Sequence, residues 1–256
     1  MGKKKPKGNS TELSYLSYTD DTAHMEQYSE YQKRYAQKIR ESDKVLIEIL
    51  RSCLGTDARK SLLDLGCSTG NLLLHLKRAL PNLEFHGADI VSSIIEENKA
   101  NPMLVGIEFT KQDMLNLTND RQYDVVVTNA SLMFFDDQEF ERVIRNIGSL
   151  LTSGSLYIAF DLFHPFEQEV MIVERSKLHP CGLKFYFRSY STVRAAIAKA
   201  GFVAPDFRFF SMPIDIPRPT DLSDITSYTV QTDREERLSF RGTLYQPWCH
   251  LVAHKG

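Results

Sequence analysis

The chain has few cysteines, almost no net charge and no long apolar run. Among its 256 residues are four cysteines, none of which forms a C-x-x-C pair or a Cys/His cluster with the spacing of zinc ligands. We therefore expect reduced thiols and no metal site. The formal net charge is −2, so no overall field attracts the chain to nucleic acid, and a nucleic-acid partner is disfavoured.

Segments that would direct the chain to a membrane are also missing from the sequence. No stretch approaches the length and apolarity of a membrane span. Residues 1–8 are rich in lysine, but no apolar run follows them, which disfavours a signal peptide. We predict that residues 1–20 form a disordered basic tail and that the protein is cytoplasmic. The sequence carries no signal for an oligomeric state.

Short apolar segments alternate with helical segments between residues 61 and 160. The predicted strands are 61–65, 83–88, 107–110, 123–128 and 155–160, and the predicted helices are 71–80, 92–100 and 136–151. Such alternation is typical of a parallel sheet with helices on both faces. The sequence therefore indicates an α/β fold.

Both ends of the chain differ from this alternating region. Residues 24–54 are helical in composition, with an amphipathic pattern near residues 45–50. Residues 193–200 predict a helix, and 202–210 and 243–253 predict strands. The polar, proline-bearing segment 211–242 is long for a loop in a compact domain. It either contains short elements that the pattern does not reveal or forms a functional lid.

The sharpest local motif closes the first predicted strand and opens a helix. Residues 62–71 read LLDLGCSTGN, with glycines spaced G-x-x-x-G. Glycines let a ligand approach the backbone, and a helix start offers free amides. A dinucleotide-binding enzyme has G-x-G-x-x-G here. Asp64, two positions before Gly66, would repel a pyrophosphate but attract an amino-acid ammonium group, which disfavours a dehydrogenase.

Two further acids follow the next two predicted strands. Asp89 lies 23 positions after Gly66, where a carboxylate can accept hydrogen bonds from two ribose hydroxyls. Asp113 follows the third strand, where it can accept from an adenine amino group. Each acid alone is equally consistent with a helix cap or a turn. Three acids at the ends of consecutive strands favour a nucleoside-binding site.

These residues resemble motif I and the next two acidic positions of class I S-adenosylmethionine-dependent methyltransferases. The resemblance assigns cofactor-binding roles to Asp64, Gly66, Cys67, Ser68, Gly70, Asn71, Asp89, Ile90, Asp113 and Met114. It also covers residues 150–156, which are similar to the family's turn into strand five. Ser68 departs from the pattern, since many members have a third glycine there. A close variant of the motif occurs in carboxy-S-adenosylmethionine synthases.

The resemblance implies a Rossmann-like, seven-stranded, mostly parallel sheet with helices on both faces and an antiparallel last strand. It implies S-adenosylmethionine as the cofactor. On this basis the methyltransferase domain covers residues 21–256. Its parts are an N-terminal helical cap (21–55), a cofactor-binding core (56–161), and an acceptor-side region with the C-terminal strands (162–256).

The acceptor is expected beyond the ends of strands four and five. There, Asn129 would line the cofactor and the methyl group. Asp161 and His164, which we expect just after strand five, are the candidates for a general base, although capping and packing explain them equally well. In the N-terminal helix, Tyr31 and Arg34 are candidates for binding the cofactor carboxylate; a plain amphipathic helix is the alternative reading.

The leading functional hypothesis is methyl transfer to an O or N atom of a small polar metabolite, such as a sugar or sugar nucleotide. The polarity of segment 211–242 is the basis for the sugar. One alternative is an RNA or protein methyltransferase that uses the lysines at residues 3–7 as a tether. Another is a regulator that binds S-adenosylmethionine without catalysis.

Overall fold

The apolar segments of the alternating region form the central sheet. The computed structural model describes residues 13–16, 19, 22–33, 35–55, 59–118, 121–175, 182–220 and 227–256. Seven strands make up the main path of the sheet: β1 (Ser61–Leu65), β2 (Glu84–Asp89), β3 (Glu108–Lys111), β4 (Tyr123–Asn129), β5 (Leu151–His164), β8 (Phe202–Phe209) and β12 (Trp248–Lys255).

The strand order along this path is β3-β2-β1-β4-β5-β12-β8. β1 is parallel to β2 and β4, whereas β12 is antiparallel to both of its neighbours, β5 and β8. The predicted mostly parallel sheet with an antiparallel last strand is therefore confirmed. Because the chain order reverses between β1 and β4, the carboxyl ends of these strands open a crevice where sheets of this kind bind ligands.

Helices cover both faces of the sheet. One face packs against α2 (Glu41–Leu54), α3 (Asn71–Ala79) and α4 (Ser92–Ala100), and the other against α5 (Asp137–Ser149) and α6 (Tyr190–Lys199). The apolar sides of these helices and the β-branched strands form two buried clusters, one on each face. In the described part of the chain, no helix is long and apolar enough to cross a membrane.

The N-terminal segment does not form one continuous helix as its composition suggested. It divides into α1 (Thr22–Lys33) and α2, with turns between them. The backbone carbonyl of Gln32 accepts a hydrogen bond from the Asn71 side chain at 2.7 Å, and that of Tyr35 lies 2.7 Å from His75 Nε2. Contacts with α3 therefore satisfy carbonyl groups at the end of α1 and in the turn that follows.

Five further strands lie between residues 170 and 245. β6 (Val170–Glu174) pairs with β7 (Leu183–Ser189), which in turn pairs with the far end of β5. β9 (Ser227–Gln231), β10 (Arg237–Arg241) and β11 (Leu244–Tyr245) form a separate small sheet. The segment 211–242 thus contains short strands, the first of the two possibilities that its length allowed.

A partly buried ion pair connects the small sheet to β6. Arg241 on β10 donates to both carboxylate oxygens of Glu174 on β6, at 2.6 and 2.8 Å. Such bidentate pairs fix the relative orientation of the two side chains as well as their distance. The small sheet is therefore held against the strands that extend beyond the end of β5.

Candidate functional site

The turn between β1 and α3 is fastened to the end of β2. The backbone amides of Gly66 and Cys67 both donate to the carbonyl of Ala88, at 2.7 and 3.0 Å. Gly66 and Gly70 have φ angles of +87° and +71°, in the left-handed region that favours glycine. The motif thus forms a tight turn at the crevice and leads directly into α3.

Asp89, the last residue of β2, holds the same turn through its carboxylate. One oxygen accepts from the backbone amide of Ser68 at 2.8 Å, and the other from the amide of Val91 at 3.0 Å. Burial raises the pKa of Asp89, while these amides oppose that shift. Ile90 follows and is half-buried. Asp89 therefore orders the turn, in addition to the ribose contact that we expect of it.

Gly66 lies where three strand ends converge. A Cβ atom added to Gly66 would be 2.7 Å from the Cε of Met114 and 3.2 Å from the Cβ of Ser131. Met114 follows β3, and Ser131 follows β4. The structure thus brings Gly66 and Met114, predicted from separate motifs, into direct proximity. Ser131, which the sequence did not single out, has a buried hydroxyl without a hydrogen-bond partner among the described residues.

Asp64 is the most unusual group at the site. It is 1% exposed, and no described residue donates a hydrogen bond to its side chain. Burial raises its pKa to about 8, and the charges of Asp43 and Asp89 add to the effect. Buried carboxylates are normally paired or hydrogen-bonded. An acid at this position therefore fits a ligand that brings a positive charge or donors.

The raised pKa of Asp64 predicts a pH dependence of stability for the ligand-free protein. Since the folded-state pKa exceeds the unfolded value, the stabilisation is present at low pH and is lost as the pH rises towards about 8. We expect the free energy of unfolding to fall by up to about 1.4 kcal/mol per pH unit between roughly pH 5 and 8 because of this group. Urea denaturation at several pH values should show a flatter profile for Asp64→Asn; equal slopes would contradict the prediction.

Asp113 is already well supplied with donors. It accepts from the backbone amide of Leu115 at 2.9 Å, the side chain of Asn116 at 2.8 Å and the hydroxyl of Tyr15 at 3.2 Å. The ring of Tyr15 lies 5.1 Å from that of Phe135. An adenine amino group at this position would therefore share the carboxylate with Tyr15, a residue that the sequence did not single out.

A tyrosine of α1 that the sequence did not single out contacts the turn at the site. The hydroxyl of Tyr28 lies 3.3 Å from the Ser68 hydroxyl, which donates to it. Tyr31 is 47% exposed, and its hydroxyl pairs with that of Tyr35 at 2.9 Å. Arg34 lies outside the described residues. The aromatic residues of the N-terminal helix indicated that it contacts the site. The sequence pattern did not indicate that Tyr28 is one of the residues in contact.

Asn129 forms a hydrogen bond with α2, and the cysteine of the motif, Cys67, is buried. The side-chain amide of Asn129, at the end of β4, donates to Asp43 of α2 at 3.2 Å. Asp43 was also missed by the sequence analysis, because an acid in the first turn of a helix usually just complements the helix dipole. Cys67 is buried in an apolar cluster, and burial raises its pKa well above the usual value. A buried, protonated thiol packs rather than reacts.

Asp161 and His164 lie within β5 and not after it. The strand extends to His164 because β7 pairs with Phe163 and His164. Asp161 is 1% exposed and accepts from the backbone amides of Leu132 and Leu162, both at 2.8 Å. His164 is 5% exposed, and neither ring nitrogen has a hydrogen-bond partner in the described part of the chain. The expectation that both follow the strand was therefore wrong.

Comparisons with known proteins agree with this site. Residues 62–154 match the family model described as a methyltransferase domain. A malonyl-[acyl-carrier protein] O-methyltransferase of Bacillus cereus is 24% identical over 137 residues, covering 54% of this chain and 50% of that protein. A carboxy-S-adenosyl-L-methionine synthase of Nautilia profundicola is 27% identical over 148 residues, covering 55% and 56%. The chain spans about half the length of these curated relatives.

Solved structures show the same fold. A SAM-dependent methyltransferase of Thermotoga maritima, described as a possible histamine N-methyltransferase, superposes with a TM-score of 0.55 at 16% identity, covering 91% of this chain and 99% of that one. An O-methyltransferase family protein of Burkholderia thailandensis gives a TM-score of 0.58 at 16% identity, covering 95% and 63%. At these identities the similarity concerns the fold alone.

The residues present fit S-adenosylmethionine. Its ammonium group would supply the donors that the Asp64 carboxylate lacks, and Gly66, which packs closely against Met114 and Ser131, has no side chain to cover the backbone of the turn. Among the described residues, no group of three or more His, Cys, Asp or Glu could hold a metal ion. Residues 62–154 thus match a methyltransferase domain, and the strand order and the residues of this site are consistent with a class I, S-adenosylmethionine-dependent methyltransferase.

Proposed function

We propose that the protein transfers the methyl group of S-adenosylmethionine to an O or N atom of a small molecule. The observation that carries this proposal is the Asp64 carboxylate, which is buried without hydrogen-bond donors next to the turn at Gly66. A dinucleotide would bring phosphate to this position, and Asp64 would repel it. An amino-acid ammonium group is attracted to the same place.

S-adenosylmethionine, when bound, supplies a methyl group that is already activated on its sulfonium. The chain therefore has to hold the cofactor, align an acceptor and exclude water. Alignment of two reactants can lower the activation barrier by about 7–11 kcal/mol. We assign the cofactor to the turn at Gly66, to Asp64 and to Asp89, and the acceptor to the neighbouring ends of β4, β5 and β12.

Aromatic side chains dominate the acceptor side. Asn129, Phe160 and His250 form one row across β4, β5 and β12. The ring of Phe160 stacks on Trp248, with centroids 4.9 Å apart, and lies 4.5 Å from His250. Flat apolar surfaces bind aromatic and methylated cationic groups. We therefore propose an acceptor with a flat or apolar part, in place of the sugar that the polarity of segment 211–242 suggested.

We propose that neither predicted base acts on the reacting atom. Both Asp161 oxygens are engaged by backbone amides. His164 is four residues beyond Phe160 on β5, which corresponds to about 13 Å at roughly 3.3 Å per residue. We propose that Asp161 supports the strand end, that His164 faces the distal part of an acceptor, and that alignment carries most of the catalysis.

Asp89 offers a test of the cofactor site. Asp89→Ala removes the acceptor for Ser68 and Val91 and the expected ribose contact. A charged hydrogen bond contributes roughly 1.5–3 kcal/mol, so the S-adenosylmethionine dissociation constant should rise about 10- to 150-fold. Calorimetric titration measures it, with Glu96→Gln, an exposed acid of α4 paired with Lys99, as the control. Unchanged affinity in Asp89→Ala would remove this residue from the site.

Synthesis of carboxy-S-adenosylmethionine is the second candidate, since several relatives carry that name. A carboxylated cofactor adds a negative charge at the transferred carbon. In this chain Asp43, Asp64 and Asp89 already make the site acidic, which favours the plain methyl donor. Mass spectrometry of the cofactor after turnover distinguishes the two: transfer yields S-adenosylhomocysteine, whereas carboxylation yields a heavier sulfonium compound.

A labelled-methyl screen tests the proposed function. S-adenosylmethionine with an isotopic methyl group is incubated with cell extract and the full chain, and the labelled compounds are identified by mass spectrometry. We expect one small molecule with a flat or apolar part to acquire the label, and none with Gly66→Val. Label in the RNA or protein fraction would instead support the macromolecular alternative. Binding without any labelled product would support a regulator.

A further inference from the structure

Three buried carboxylates from three elements interact electrostatically near the start of α2. This acidic cluster consists of Asp43 on α2, Asp64 on β1 and Asp89 on β2, which are 1%, 1% and 9% exposed. The charges of Asp43 and Asp89 raise the pKa of Asp64, and burial raises the pKa of all three acids. Asp43 lies outside the matched domain of residues 62–154, and no sequence motif points to it.

The donors around the acidic cluster are too few for three carboxylates. Asp89 has two backbone amides. Asp43 has the Asn129 amide on one oxygen, at 3.2 Å, while its other oxygen has no hydrogen-bond partner among the described residues. Asp64 has none. Two buried oxygens, on α2 and on β1, therefore lack a donor.

One neighbouring cation forms an ion pair with the acidic cluster. Arg40, just before α2, is 3.8 Å from Asp43, longer than a hydrogen bond, and its side chain is 28% exposed; its charge lowers the pKa of Asp43 and only partly offsets the effect of burial. Its guanidinium also donates to the Gln32 side chain and lies 4.1 Å from the Tyr35 ring centroid. His75 of α3 acts on Asp43 in the same direction as Arg40. Cys67 is a protonated thiol, and Tyr28 of α1 is a neutral phenol whose pKa burial raises.

We propose that Asp43, together with Asp64, binds the cationic amino-acid end of S-adenosylmethionine and that the pair gives up a proton to solvent as the cofactor binds. The proposal rests on the proposed function and adds a binding residue and a proton-coupled step to it. In the free protein, protonation of one of the two acids relieves their repulsion. In the complex an ammonium group supplies N–H donors to both oxygens, so the proton leaves and no covalent bond changes.

The coupling has a definite sign. A cation favours the ionised carboxylates and lowers their pKa, so binding expels protons wherever the free acids are protonated. The affinity for S-adenosylmethionine should therefore increase with pH between about pH 5.5 and 7. Above that range the ligand's own ammonium, with an ordinary pKa near 7.7–8.0, begins to deprotonate. At about pH 6.5, therefore, the protons released on binding come from the acids of the protein and not from the ammonium group of the ligand.

Calorimetry of the full chain with S-adenosylmethionine at pH 6.5 tests the proposal. Titrations in phosphate and in imidazole, which have different ionisation enthalpies, give the number of protons released. For the wild type we expect close to one proton per bound cofactor. Asp43→Asn should release markedly fewer protons, because Asp64 then ionises at lower pH, and should bind about 10- to 100-fold more weakly. Glu48→Gln, an exposed acid on the same helix paired with Arg51, is the control.

The outcomes separate the two proposals. If wild-type protein does not bind S-adenosylmethionine at all, the proposed function fails. If it binds, and Asp43→Asn keeps the same affinity and proton release, only this inference fails. Asp43→Asn should unfold at an equal or higher temperature, because the substitution removes a buried charge. Should it not fold, Asp64→Asn carries the same test, and an undiminished proton release there overturns the pairing. S-adenosylhomocysteine, which keeps the ammonium but lacks the sulfonium, should release the same proton as S-adenosylmethionine.

Discussion

Replacement of Gly66 by valine is expected to abolish S-adenosylmethionine binding at concentrations that saturate the wild type. Two effects add up. The left-handed φ of +87° is strained for valine, at a cost of about 1–3 kcal/mol. The new side chain would also enter the space beside Ser131, whose Cβ is 3.2 Å away and fixed by the backbone.

Gly154→Val is the matched control for this prediction. Gly154 has a φ of +82°, so the backbone strain is the same, but nothing lies within 4 Å of an added Cβ. It should therefore lose stability to a similar degree and keep its affinity for the cofactor. Calorimetry and thermal unfolding of both variants separate the two effects. Tight binding by a folded Gly66→Val variant would contradict the placement of the cofactor at this turn.

Asp161→Ala is expected to destabilise the fold rather than to remove a proton acceptor. It leaves the buried amides of Leu132 and Leu162 without partners. Each lost partner costs about 1–3 kcal/mol, or roughly 2–6 kcal/mol together, which is a large part of the stability of an ordinary domain. Urea denaturation measures this loss. His164→Asn removes no hydrogen bond to a described residue and should be much less destabilising.

Kinetic measurements on the same two variants decide whether Asp161 and His164 have a structural or a catalytic role. A general base contributes about 10²–10⁴-fold to turnover. If Asp161→Ala is as stable as the wild type and loses turnover on that scale, while its pH–rate profile shifts, Asp161 is the base after all. Burial raises the pKa of Asp161 to about 6, so such a shift would fall in the acidic arm of the profile.

The inner strands of the main sheet could be predicted because they are buried on both faces. Runs such as the valines of β4 are apolar throughout, and glycine-bearing turns separate them from the helices. The extra strands β6 and β7 escaped prediction for the opposite reason. β6 is largely exposed, with burial only at its end, so no clear alternation marks it. The continuation of β5 to His164 depends on pairing with β7 and is therefore a tertiary effect.

The site was predictable where the chain itself brings residues together. Gly66, Asp89 and Met114 belong to turns that follow consecutive strands, so the sheet alone aligns them. Asp43, Tyr28 and Ser131 reach the site through the packing of helices and turns, which local spacing does not encode. A polar side chain in a helix or turn is usually a cap or a solvated residue. Asp43 differs because it is buried and one of its oxygens lacks a donor, which is evident only once the fold is known.

Titration of the full chain with S-adenosylmethionine in a calorimeter is the most direct test of the central claim. We predict saturable binding of one cofactor per chain, competition by S-adenosylhomocysteine, no binding to Gly66→Val and no binding of NADH to the wild type. An absence of heat with S-adenosylmethionine, or saturable binding of NADH at the same turn, would contradict the assignment of this site.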